Sequence, residues 1–392
     1  MLLSLLFYLT FFLFSLGQLG RISFFGQQIN VYIYEIFLLI FTLVLFYKYR
    51  FKPLEDSIRK FKITYLFLGF LAVTFLTNLS GFKLLENSIS FLYFLRLLHY
   101  FMYFFYLSYH LRKHPQFERT LTKAIVIGVV LTATISILQY FWYQDLRNLL
   151  YGAWDPHLYR LFGTFFDTSI AGAIYGLIFL TLFLKGKEFI KNKWLLLGFL
   201  ASYFIFIILT YSRSLYTAFL FIIILHTAAK RKYKGFLIFF TVFLLAVLFA
   251  PKPFGEGVNL ERTFSVESRV NDYKTAIKMW QKKPLLGVGY NRIRYVKRQM
   301  NVIGEAEADI THSGASFHSS FLIILVSGGF VGLGLFMGVL YRIFQVSMLG
   351  KYYVVFLGLL SLTDNIILHP FILFMLFSLC LLDRFIPFRR LR

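Results

Sequence analysis

The chain has 392 residues, of which 58% are hydrophobic, 21% aromatic and only 15% charged, with a formal charge of +23. Soluble domains run at roughly 45–50% apolar and about 25% charged residues, so this composition excludes one and points to a protein that lives in lipid along its whole length. The single cysteine, Cys380, lies inside an apolar run, which excludes a disulfide framework and a cysteine-based metal site. The positive charge needs no nucleic-acid partner, because membrane orientation and anionic head groups account for it.

A spanning helix needs about 20 apolar residues, and windows of that kind predict an all-α, polytopic transmembrane bundle of about 12 spans. In chain order they fall at 2–19, 31–47, 63–79, 90–109, 121–143, 168–184, 194–209, 215–229, 236–250, 319–341, 352–362 and 371–382. Residues 2–19 lack a basic n-region and a small-residue cleavage site, and read as a first span instead of a signal peptide. The loops alternate in character. Those at 48–62, 110–123, 185–193 and 230–234, and the tail 384–392, are strongly basic, whereas the intervening short ones carry little beyond Arg21, Lys83, Arg147, Arg160 and Arg213. Basic short loops stay in the cytoplasm, so both termini are expected inside and the one long loop, 251–317, outside. The organisation is therefore spans one to nine over 1–250, a large external loop over 251–317, and three spans with a cytoplasmic tail over 318–392, all one membrane domain.

The long loop is partly helical. Ser265 is placed to cap a helix with Glu267 in its first turn. Val270, Tyr273, Ile277 and Trp280 recur at helical spacing, while Lys274, Lys278 and Lys282 line a solvated face. Pro284, Gly287 and Gly289 end it in a turn. The plain reading is an amphipathic helix lying along the membrane surface. In the tenth span, Gly328, Gly329, Gly332, Gly334 and Gly338 read as small residues that let helices pack closely.

Ionisable residues near membrane depth carry the functional signal, because each is expensive there. Under this topology Arg96, Arg213, Arg269, Glu35, Asp167, Asp364 and His318 converge on the outer side. Glu35 and Asp364 read as structural partners of an arginine. His318 falls in the first turn of the tenth span, where the helix dipole and two nearby arginines disfavour the imidazolium, leaving a neutral general base. Guanidinium forks hold phosphate oxygens bidentately, so Arg213 and Arg269 suit a pyrophosphate. A base beside two phosphate clamps fits transfer from a diphosphate-activated donor. No metal-binding motif or nucleotide-binding unit is present, and neither a metal nor a cofactor is expected.

Three segments resemble the O-antigen ligase and O-antigen polymerase superfamily of bacterial surface-polysaccharide enzymes: LTYSRSLYTAFL at 209–220, SRVNDYKTAIKMWQKKPLLGVGYNRI at 268–293, and His318-Ser319 followed nine residues later by Gly329-Phe-Val-Gly332. RLFGTFFDTS at 160–169 and the Arg96 segment echo it more weakly. The resemblance implies an inner-membrane glycosyltransferase that takes a glycan from undecaprenyl diphosphate and passes it to an acceptor sugar or glycolipid at the external face. It further implies that Arg213 and Arg269 hold the diphosphate and His318 activates the acceptor hydroxyl, with Arg96, Arg160 and Asp167 in supporting positions. The His318–Gly332 spacing favours a ligase over a polymerase. The rival class is a transporter of lipid-linked glycan, which would show internal repeats and broken helices at the midplane.

Overall fold

The computed structural model describes residues 1–147, 157–253, 258–260, 264–304 and 316–383; the side chains of Phe264 and Ser265 and the basic tail at 384–392 lie outside the described residues. Among the described residues the chain forms fifteen α-helices and one two-stranded sheet. In chain order these are α1 (Leu2–Phe14), β1 (Arg21–Phe24), β2 (Ile29–Tyr32), α2 (Ile33–Tyr49), α3 (Lys52–Lys60), α4 (Lys62–Thr77), α5 (Leu84–Lys113), α6 (Phe117–Trp142) and α7 (Thr168–Phe189). They continue as α8 (Lys193–Leu209), α9 (Arg213–Ala229), α10 (Tyr233–Phe249), α11 (Phe264–Lys282), α12 (Ile293–Gln299), α13 (Ser320–Val346), α14 (Met348–Thr363) and α15 (Pro370–Cys380).

The all-α expectation holds apart from the hairpin, and several boundaries move for identifiable reasons. The first span stops at Phe14, because Gly17 takes a left-handed φ of +51° and its backbone presses against Thr164, where any Cβ would collide. The chain then makes the antiparallel β1–β2 hairpin, which consumes the start of the expected second span. The 48–62 loop is not irregular but forms α3, bent by 104° from α4. α5 extends at both ends to 30 residues, opened by Glu86, whose carboxylate accepts from the Lys83 backbone N–H. Four helices (α5, α6, α7 and α13) are long and apolar enough to cross a membrane, or five counting the bent α3–α4 pair as one. Helix length alone therefore accounts for fewer crossings than the hydropathy windows, since six further apolar helices have only 10–17 residues.

Burial separates the centre from the rim. Every residue from Phe371 to Cys380 on α15 is buried, and so is nearly all of α7 from Ile170 to Leu182, as expected of helices apolar all round. On α10 only Phe243 is buried, which leaves this helix at the lipid-facing periphery. α1 packs between α2 and α6, while α13 lies against α4, α14 and α11.

α13 carries the feature that positions the site. Gly329 breaks the helix with φ +63° and ψ −164°, a conformation open only to glycine. The break frees two backbone carbonyls and one N–H, and the linker from α11 to α12 pairs with all three. Val288 N–H donates to Val326 O, Gly289 N–H to Ser327 O, and Phe330 N–H to Pro284 O, each at 2.9 Å. The close approach also needs Gly287, at φ +69°, whose Cβ would stand 2.5 Å from Gly328 N. Gly329 is thus a docking break, not a packing residue. Gly328, Gly332 and Gly338 do face α4 side chains, while Gly334 has nothing near it.

Candidate active site

The site gathers the ends of several helices around one carboxylate. α7 opens on Asp167, which caps it by accepting from Ser169 N–H at 2.7 Å and Ile170 N–H at 3.0 Å. α9 opens on Arg213, and α14 ends at Asp364. One oxygen of Asp364 accepts from Ser169 Oγ at 3.1 Å, Ser214 Oγ at 3.4 Å and Arg269 Nη2 at 3.0 Å. Asp364 therefore ties α7, α9 and α11 together at the mouth of the bundle. Arg213, next to Ser214, donates through Nη1 to Leu260 O at 3.0 Å and so holds the start of the long loop.

His318 stands at the same place. α13 begins at Ser320 with Ser319 as its cap, so His318 precedes the helix instead of occupying its first turn. Ser319 Oγ donates to Ser361 O at 2.9 Å and Ser320 Oγ to Asn365 Oδ1 at 3.1 Å, which fastens the start of α13 to the end of α14. The imidazole Nδ1 lies 2.5 Å from Asp272 Oδ2, and the His318 backbone N–H donates to the same oxygen at 2.9 Å. That contact reverses the electrostatic expectation. The hydrogen bond to Asp272 raises the imidazole above its ordinary 6.5, burial works against it, and the Arg269 charge is too weak a counterweight to lower it. Burial would push Asp272 up, but hydrogen bonds from His318 and the charge of Lys297 hold its carboxyl below the usual range.

α11 brings this about with a face one step away from the expected one. Ala276 and Met279 are its buried residues and Val270 and Ile277 stay exposed, so the inward seam runs along Arg269, Asp272, Tyr273 and Ala276. Tyr273 OH donates to Leu362 O at the end of α14. The helix packs on α13 rather than lying free along a surface, and Lys274, Lys278 and Lys282 form the exposed face expected of them. The expected Ser265 cap falls on a side chain outside the described residues.

A cavity of about 420 Å³ opens beside His318 and Asp364, with Asp167, Tyr290, Arg96 and Arg294 among its walls. Arg96 faces this space but is engaged. Its Nε and Nη2 reach Glu35 at 2.6 and 2.5 Å, and Glu35 accepts also from Tyr100 OH at 2.6 Å and Tyr32 N–H at 3.1 Å. All four donors converge on one carboxylate, so the pair is a built wall that caps α2, and Glu35 is the arginine partner expected. Arg160 does not join the cluster. It is buried with Nε donating to Thr210 O at 2.7 Å, which braces the turn that leads into Arg213.

The sequence reading brought Arg213, Arg269, Asp364 and His318 to one side. Asp364 pairs with Arg269 and shares the cavity wall with His318, whereas Arg213 reaches Leu260 O, and neither Arg213 nor Arg269 is among the described residues of that wall. The reading missed Asp272, Lys297, the two serines on Asp364 and the hairpin that supplies part of the cavity wall. The signal for Asp272 was its place three residues after Arg269, which puts both on one helical face. Among the described residues no three His, Cys or acidic side chains are grouped as a metal site. None of the curated proteins compared matches this chain. Residues 196–337, from α8 through most of α13 and so including Arg213, Arg269, Asp272 and His318, match the family model described as O-antigen ligase, and this supports the chain as a member of the O-antigen ligase and polymerase superfamily.

Proposed function

We propose that the chain is a metal-independent glycosyltransferase of the O-antigen ligase type, moving a glycan from undecaprenyl diphosphate to a sugar hydroxyl on a lipid-anchored acceptor at the outer face of the inner membrane. One observation carries this reading: His318 and Asp364 share a cavity wall, and Asp364 holds Arg269 and the first turn of α9, which begins at Arg213. Three helix N-termini (α7, α9 and α13) also meet there, and their dipoles favour an anion. In this reading Arg213 and Arg269 bind the diphosphate and stabilise its departing charge, replacing a metal. His318 accepts the proton of the acceptor hydroxyl while its oxygen attacks the anomeric carbon, so the configuration inverts.

About twelve crossings, with both termini cytoplasmic, remain the proposed topology. In its favour, α5 carries Arg96 in its site-side half and Arg112, paired with Asp56 of the basic 48–62 segment, near its other end. At 1.5 Å per residue those two positions are about 24 Å apart, most of a bilayer core.

A strain lacking the gene is the decisive test. Polymer accumulating unattached on its carrier lipid supports the ligase, and single repeat units on the core would instead make the chain the superfamily's polymerase. His318→Ala should lower transfer by about 10²–10⁴ while donor stays bound; activity within about tenfold of wild type removes His318 as the base.

A further inference from the structure

We propose that Asp272 is the positioning residue for His318: pinned from α12 by Lys297, it holds the imidazole by Nδ1 and leaves Nε2 as the nitrogen that meets the acceptor. Only the word acceptor rests on the transferase reading; the geometry stands without it.

Asp272 grips the histidine twice, at its backbone N–H and at Nδ1, and through a single oxygen. An ionised carboxylate only accepts, so Nδ1 must carry the proton in that bond and the lone pair of the neutral ring lies on Nε2. The second carboxylate oxygen lies 3.8 Å from Lys297 Nζ. Lys297 is itself buried, donates to Ser316 O at 2.6 Å and sits 4.4 Å from the centre of the Phe317 ring. The three residues entering the cavity wall, Ser316 to His318, are thus held by one lysine–aspartate unit that comes from two other helices. The His318 side chain remains about half exposed, while Asp272 is mostly covered, which is the arrangement of a reacting group with its support behind it.

The charged groups around the imidazole are Asp272 and Arg269 on α11, Lys297 on α12 and Asp364 after α14. Arg269 and Asp272 are one turn apart, so a single helix presents both the proposed phosphate clamp and the orienting carboxylate. In the step itself the acceptor O–H gives its proton to Nε2 and its oxygen forms the new glycosidic bond. The bond from the anomeric carbon to the phosphate oxygen breaks, and its electron pair leaves on the polyprenyl diphosphate. The imidazolium is offset by Asp272 until Nε2 returns the proton to water.

The test uses the full chain in lipid nanodiscs with ¹⁵N-labelled histidine, wild type against Asp272→Ala, Asp272→Asn and Asp272→Glu. Wild type should show a single Nδ1–H tautomer for His318 and a titration midpoint above 6.5. Asp272→Ala should mix the tautomers, lower the midpoint and reduce glycan transfer by roughly 10²-fold, with the acid limb of the rate profile moving to lower pH and donor KM little changed. Asp272→Asn keeps an acceptor oxygen without the charge, so the midpoint falls while the tautomer is retained; this variant decides the matter if the alanine does not fold. Asp272→Glu should restore part of the rate. An unchanged midpoint in Asp272→Asn, or an unchanged midpoint and tautomer in Asp272→Ala, overturns the assignment. A wild type with the expected titration but no glycan transfer leaves the positioning intact and overturns the transferase reading.

Discussion

Replacing Gly329 by alanine should destabilise the protein far more than any other glycine-to-alanine change on α13. The residue sits at φ +63° and ψ −164°, where an L side chain costs about 1–3 kcal/mol in backbone strain alone. The new Cβ would also run into the Leu285 carbonyl and come within 2.7 Å of Pro284 O, all backbone atoms that no rotamer change can move. Relief requires the linker to back out, which gives up the three docking hydrogen bonds at about 1 kcal/mol each. The sum is about 4–6 kcal/mol, enough to threaten a protein of ordinary stability. Gly334→Ala on the same helix is the control: its Cβ meets nothing within 4 Å, and removing a helical glycine should be neutral or stabilise by up to about 1 kcal/mol. Thermal or denaturant unfolding in detergent compares the two. A Gly329→Ala loss below about 1 kcal/mol, or one equal to that of Gly334→Ala, would refute the docking break.

Arg213→Lys and Arg269→Lys should each lower transfer at least about tenfold despite conserved charge, since an ammonium cannot fork onto a diphosphate, and chelating divalent metals should leave the rate unchanged. Arg96→Leu or Glu35→Leu alone should cost about 3–5 kcal/mol by stranding a buried charge, and the double change should recover only part of it, because Tyr100 OH and the Tyr32 N–H still lose their acceptor, read by unfolding of all three variants. Stability and rate should depend on pH in opposite senses at His318. Its raised folded value adds stability that is complete below 6.5 and is lost as pH rises through the folded value, whereas a base must be neutral, so transfer should climb over that same interval. Asp272, lowered in the fold, adds stability that is present above 3.8 and is lost as pH falls through its folded value.

Hydropathy located nearly every apolar helix, because an apolar run has few alternatives to a helix in lipid, though only four or five of these helices are long enough to cross by themselves. It misplaced ends wherever backbone conformation decided them: Gly17 stopping α1, or Glu86 starting α5 well before the apolar run. Nor could it see the break at Gly329, since φ leaves no mark on a hydropathy profile and the neighbouring glycines are spaced for packing. Arg269, in the charged loop, was reached through the family resemblance, whereas Arg213 and His318 could be singled out because each stands out chemically beside greasy sequence. Asp272 did not, being one acid in a charged loop. The protonation tendency of His318 was misjudged because its nearest charge comes from 46 residues earlier in the chain, and nothing local records that contact.

The break in α13 and the chemistry beside His318 are one structural problem. Arg269 and Asp272 belong to α11, whereas His318, Asp364 and Arg213 belong to the ends of bundle helices, so the two sets meet only while α11 is seated. Its far end is seated by the linker that fills the break at Gly329, and its near end by Tyr273 and Arg269 on the end of α14. A shift of the linker by even an ångström would be carried along a rigid helix to the Asp272–His318 contact, where geometry sets the rate. Variants at Gly287 or Gly329 that still fold should therefore lose transfer out of proportion to their loss of stability, and they should lose the raised His318 midpoint with it. A folded Gly287→Ala protein with full transfer and an unaltered midpoint would mean that the linker and the site are independent.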